Sequence, residues 1–167
     1  MIKETDIFNA SILIVDDQEF NVHILDRILR NAGYASITTT INPLEVCDLY
    51  RKNRYNLILL DIEMPGMDGF QVLESLKKIE PDDYLPVIVI TGHPDYKLRA
   101  LHIGAKDFIS TPFDKDEVLV RVHNMLEVRL LHEEVKSHSK VLEQELQEVD
   151  TGQTLAIMQD QPDEKWL

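Results

Sequence analysis

Three short apolar runs, Ile12-Leu-Ile-Val15, Leu57-Ile-Leu-Leu60 and Val87-Ile-Val-Ile90, are continuous rather than alternating. A strand with one face in water alternates apolar and polar residues, whereas a continuous run fits a strand covered on both faces. Such strands belong to a parallel sheet with helices on each side. Each run stops at polar residues: Asp16-Asp17, Asp61 and Thr91. The β-branched segment Ser36-Ile-Thr-Thr-Thr40 and the short Asp107-Phe-Ile109 complete a set of five predicted strands.

Helical patterns lie between the strands. Phe20, Ile24, Leu25, Ile28 and Leu29 mark one helix, closed by Gly33. Pro43 stands where a second begins, with Leu44, Cys47 and Leu49 following. Phe70, Leu73, Leu76 and Ile79 form a third, and Tyr96 to Ile103 a fourth, closed by Gly104. A fifth starts at Asp114 and meets no obvious stop until near Asp150. This alternation predicts a doubly wound α/β domain over roughly residues 9–128.

The last helix is too long for that domain alone. Val128, Val135, Leu142 and Val149 recur every seven residues, but His138 and Glu145 stand beside Leu131 in the companion positions. This is a partial heptad, read either as a coiled coil or as a solvated helical linker. Three regions are therefore expected: a domain over 10–128, a helical extension over 129–150, and a flexible tail over 151–167.

Composition excludes several classes. With 44% apolar and 28% charged residues, the 167-residue chain reads as globular. A formal charge of −13 disfavours nucleic acid and anionic membranes as partners. The lone Cys47 excludes a disulfide within the chain and reads as a packing residue. The sequence opens without a basic segment followed by an apolar run, and no run approaches a membrane span; a cytoplasmic location is expected.

In open parallel sheets, ligands bind beyond the carboxyl ends of the strands, where the strand order reverses. Asp16, Asp17 and Asp61 would converge there. Three such carboxylates raise one another's pKa unless a cation enters, and an all-oxygen, incompletely caged donor set suits Mg²⁺. The structural alternatives are a helix N-cap for Asp16-Asp17 and a turn residue before Met64-Pro-Gly66 for Asp61.

The segments ILIVDD (12–17), LILLDIEMPGMDGF (57–70), VIVITG (87–92) and GAKDFISTPF (104–113), in that order and spacing, resemble the receiver domain of two-component response regulators. The resemblance covers about residues 10–128. It implies a flavodoxin-like (βα)5 sheet of order 2-1-3-4-5, here with an extended C-terminal helix. It implies that Asp61 accepts a phosphoryl group from a sensor histidine kinase or phosphotransfer protein. Asp16, Asp17, Asp61 and the Glu63 backbone carbonyl would hold Mg²⁺. Thr91 would be the switch hydroxyl and Phe108 the switch aromatic, relaying the state of Asp61 to an output domain or partner protein. The chain would turn over no external substrate.

One position departs from the family. Its usual lysine, just before a proline, is here Thr111, followed by Pro112 and Phe113. Phosphorylation of Asp61 with weakened or altered coupling is the expectation, because that lysine is neither nucleophile nor metal ligand. Lys106 and Lys115 are nearby in sequence but do not occupy the position. The alternative is a phosphorylation-independent pseudo-receiver that docks or dimerises. It would act through the face near the fifth strand and the last two helices, or through the extension, which is the expected route to a homodimer. An aspartyl-phosphate phosphatase, with Glu63 as its general acid, would need further acids, a lysine and a capping insertion that the sequence does not supply.

Overall fold

The computed structural model describes residues 1–80 and 84–159. Five strands, β1 (Ile12–Val15), β2 (Ile37–Thr40), β3 (Leu57–Asp61), β4 (Val87–Thr91) and β5 (Asp107–Ser110), form one parallel sheet of order β2-β1-β3-β4-β5. The expected flavodoxin-like order is thus present. The continuous runs are explained by their neighbours, because β1, β3 and β4 are flanked on both sides and fully buried up to their last residues.

Successive strand residues feed two different cores. Leu13, Val15, Ile58, Leu60, Val87 and Val89 pack against α3 (Val46–Asn53), α4 (Gly69–Ile79) and α5 (Pro94–Ile103). Ile12, Ile14, Leu57, Leu59, Ile88 and Ile90 pack against α1 (Glu4–Asn9), α2 (Glu19–Ala32) and the first turns of α6 (Lys115–Gln159). The pleat sends neighbouring side chains to opposite faces, so both faces must be apolar.

Several local expectations need correction. Pro43 opens a 3-10 turn, Pro43–Glu45, capped by the Asn42 side chain, and the α-helix begins at Val46. Its buried residues are Val46 and Tyr50, while Leu44 is exposed. On α2 the buried stripe is Val22, Leu25 and Leu29; Phe20 is 73% exposed and does not enter the core. Helix α1 was not expected at all. Its sequence, ETDIFN, is polar, and only Ile7 is buried. Cys47 is half-buried against the core, as expected of a packing residue.

The chain divides into two compact units between Leu130 and Leu131. Helix α6 runs without a break to Gln159, nine residues into the stretch expected to be a tail. Within that stretch Thr151 and Thr154 donate their hydroxyls to the carbonyls of Gln147 and Asp150, four residues back. The rest of the predicted tail, 160–167, lies outside the described residues. Among the described residues no helix is long and apolar enough to cross a membrane.

Candidate functional site

The strand order reverses between β1 and β3: the chain leaves β1 for β2 and returns to pair β3 on β1's other side. Val15 pairs with Leu60, so the next residues along, Asp16 and Asp61, emerge side by side at the carboxyl ends. One ligand oxygen from each of Asp16, Asp17 and Asp61 lies within 4.8 Å of the others. The predicted convergence of the three acids is therefore present.

Their surroundings remove the N-cap alternative for Asp16-Asp17 and leave Asp61 with a local turn bond. Gln18, not an aspartate, is the N-cap residue of α2, and no side chain caps that end. Asp16 Oδ1 instead accepts the Gln18 N–H at 2.9 Å from a buried position. Asp61 Oδ1 accepts a long bond, 3.4 Å, from the Glu63 N–H. Asp17 Oδ1 is buried and has no hydrogen-bond partner among the described residues.

Electrostatics follow from this crowding. Burial pushes the Asp61 carboxyl up to about 7, and the charges of Asp16, Asp17 and Glu63 push the same way; the Glu63 N–H opposes them. Asp16 is also raised, chiefly by burial, while its bonds to Gln18 and Asn21 hold it down. An orphaned buried carboxylate oxygen, three mutually repelling acids and an all-oxygen donor set fit a hard divalent cation, Mg²⁺ among them. The Glu63 carbonyl accepts no backbone hydrogen bond among the described residues, leaving a fourth oxygen available.

Thr91 ends β4 one step beyond the Asp61–Ile90 pair and is fully buried. Its hydroxyl oxygen accepts the His93 N–H at 3.1 Å. His93 in turn faces Glu63, Nε2 to Oε1 at 3.1 Å, and its ring lies 4.7 Å from that of Tyr96. This Glu63–His93–Tyr96 series is a feature the motif spacing did not reveal.

Phe108 sits on the edge strand, half-exposed, between two cations: Lys97 at 4.9 Å and Arg121 at 5.4 Å from its ring centre. Lys97 also donates to Ser110 Oγ at 2.7 Å, and Arg121 makes two 3.0 Å bonds to Asp107. Thr111 is exposed, and its hydroxyl stands over Gly92, where an added Cβ would meet it at 2.9 Å. The Thr111–Pro112 peptide is cis.

Asp61 opens onto a cleft of about 490 Å³. Phe20, Ile24, Pro112 and Phe113 give it apolar walls, and Glu63, Thr111 and Lys115 complete its rim. Phe20 and Ile24, two of the residues whose spacing marks the helix in the sequence, belong to this wall. The two stripes of α2 cannot be told apart by periodicity alone, since both are apolar.

Comparison with known proteins places the chain among relatives of one family. The family described as response regulator receiver domain matches residues 12–123. The uncharacterized transcriptional regulatory protein YkoG of Bacillus subtilis is 39% identical over 118 residues, covering 69% of this chain and 50% of that protein. Sporulation initiation phosphotransferase F of the same organism is 35% identical over 123 residues, covering 72% of this chain and 97% of that protein. The crystal structure of NtrX from Brucella abortus superposes with a TM-score of 0.69 at 31% identity, over 77% of this chain and 29% of that one. The chain thus spans half the length of the first of these relatives.

Proposed function

Because the chain belongs to the response regulator receiver domain family, we propose that Asp61 is its phosphoacceptor, charged by a histidine kinase or phosphotransfer protein. A carboxylate oxygen of Asp61 forms the new bond to phosphorus as the phosphorus–nitrogen bond of the donor phosphohistidine breaks, the imidazole leaving with the electron pair. The single observation that carries this reading is the convergence of Asp16, Asp17 and Asp61 within 4.8 Å beside the buried Thr91.

Asp16, Asp17, Asp61 and the Glu63 carbonyl would hold Mg²⁺. When bound, the ion supplies neutralisation of the charge gathered on the transferring group. The chain's own residues do the rest. Asp61 opens onto the cleft from which the donor would approach. The Thr91 hydroxyl, whose oxygen accepts the His93 N–H, would donate its proton to a phosphoryl oxygen and draw its loop inward. Phe108 then leaves the contact between Lys97 and Arg121. That rearranged edge is what an output domain or partner protein would read.

The extension supports self-association as part of that output. Val135, Leu142, Leu146 and Val149 are all exposed on α6. A coiled-coil homodimer would cover them, and dimerisation measured by sedimentation should be lost when they are made polar.

The reading is tested by intact mass after incubation with a small phosphodonor and Mg²⁺, beside Asp61→Asn. Gain of one phosphoryl group by the parent only is expected. No gain by either would leave the second reading, a phosphorylation-independent docking module. That reading is favoured by one observation: the family's lysine position holds Thr111, whose hydroxyl lies against Gly92.

A further inference from the structure

A phosphoryl group on Asp61 would meet no cation from position 111. Three lysines lie on the elements around it, and the structure separates them. Lys97 is engaged at the sheet edge, with Ser110 at 2.7 Å and the Phe108 ring at 4.9 Å. Lys106 lies over the Tyr84 ring at 4.9 Å, and its N–H donates to Val87 at the amino end of β4, away from the carboxyl ends. Lys115 lines the cleft onto which Asp61 opens.

Its local setting leaves Lys115 available. It is the first residue of α6, where the helix dipole disfavours a cation. Two of the acids beside it are engaged elsewhere: Asp114 Oδ1 accepts the N–H groups of Asp116 and Glu117, and Glu117 Oε1 accepts from Arg121 Nε. Across the cleft stand Asp61 and Glu63. The phosphoryl group would project from the Asp61 carboxylate into this same space and bring more negative charge. A lysine is a point charge on a flexible stem, so its backbone need not occupy the family's position to deliver that charge.

We propose that Lys115 is the counter-ion of the phosphorylated state, replacing the missing lysine from four residues further along the chain. The proposal rests on Asp61 being the phosphoacceptor. Lys115 then binds the phosphoryl oxygens directly and selects the phosphorylated over the free carboxylate. Thr111 adds at most a neutral hydroxyl.

The test is calorimetric titration of the full chain with beryllofluoride, a phosphoryl mimic that bonds to a carboxylate, in the presence of Mg²⁺. Lys115→Gln is expected to weaken binding about tenfold, the scale of one charge-assisted bond. Lys106→Gln should stay within about twofold of the parent. Adding Thr111→Lys to Lys115→Gln should restore the affinity. Parent-like binding by Lys115→Gln would overturn the proposal, as would failure of Thr111→Lys to rescue it, since that would show an effect other than charge. A parent that binds no better than Asp61→Asn would instead identify the phosphoacceptor reading as the failure, and the role of Lys115 would fall with it.

Discussion

Asp61→Asn replaces a charged oxygen by an amide of nearly the same shape, so its effect on stability isolates the cost of the charge. In the metal-free protein that cost is set by burial first and by Asp16 next, which together hold the carboxyl at about 7 against an ordinary value of 3.8. The folded state therefore binds more protons than the unfolded chain between these values. Stability must fall as pH rises from about 4 to about 7, and level off above. A shift of about 3 units corresponds to about 4 kcal/mol; allowing for the solvent that still reaches a half-buried carboxylate, about 2–4 kcal/mol is expected. Asp61→Asn escapes this loss. In a chelator at pH 8 it should melt about 4–16 °C above the parent, using the usual 2–4 °C per kcal/mol for a chain of this size. The two should converge near pH 4, where Asp61 is protonated when folded. Thermal melts followed by circular dichroism across this range decide the matter. Equal stability at pH 8, or a difference that persists undiminished at pH 4, would refute the argument.

Other consequences follow from the same geometry. Mg²⁺ should raise the melting temperature of the parent at pH 8 but much less that of Asp17→Asn, because Asp17 Oδ1 is the buried oxygen without a partner; melts with and without the ion measure this. Gly69→Ala should destabilise the fold and disturb the site, since a Cβ there would lie 2.5 Å from the Asp61 carbonyl and 2.7 Å from the Ile62 Cα. A loss of about 1–3 kcal/mol in chemical denaturation is expected, as for other overpacked positions. Arg121→Ala should cost about 1 kcal/mol by removing the Asp107 bonds and one of the two cations beside Phe108. It should also loosen the Phe108 ring, seen as faster ring flipping by NMR.

What could be read in the sequence was whatever a single physical requirement dictates. Strands buried on both faces must be apolar throughout, so β1, β3 and β4 were legible, and with them the ends where Asp16, Asp17, Asp61 and Thr91 gather. Helix α1 was not, because six residues with one buried side chain carry no period. Phe20 and Leu25 have the same chemistry, and only the packing of α2 decides that one walls a cleft while the other enters the core. The reach of a lysine was likewise hidden. Lys106 and Lys115 are both within five residues of Thr111 along the chain, yet one lies on the Tyr84 ring and the other on the cleft of Asp61. The end of α6 was misplaced because the stretch from Thr151 on is polar and shows no clear period, yet the helix continues through it to Gln159.

The central claim is that the acid crowded by Asp16 and Asp17 at the end of β3 is the phosphoacceptor. It is tested most directly by locating the phosphoryl group. The full chain is treated with a phosphodonor and Mg²⁺, the acyl phosphate is trapped by borohydride reduction, and the peptides are sequenced by mass spectrometry. Reduction at Asp61, and absent from Asp61→Asn, is the predicted result. A label on any other residue, or none on a folded, Mg²⁺-binding protein, would contradict the account.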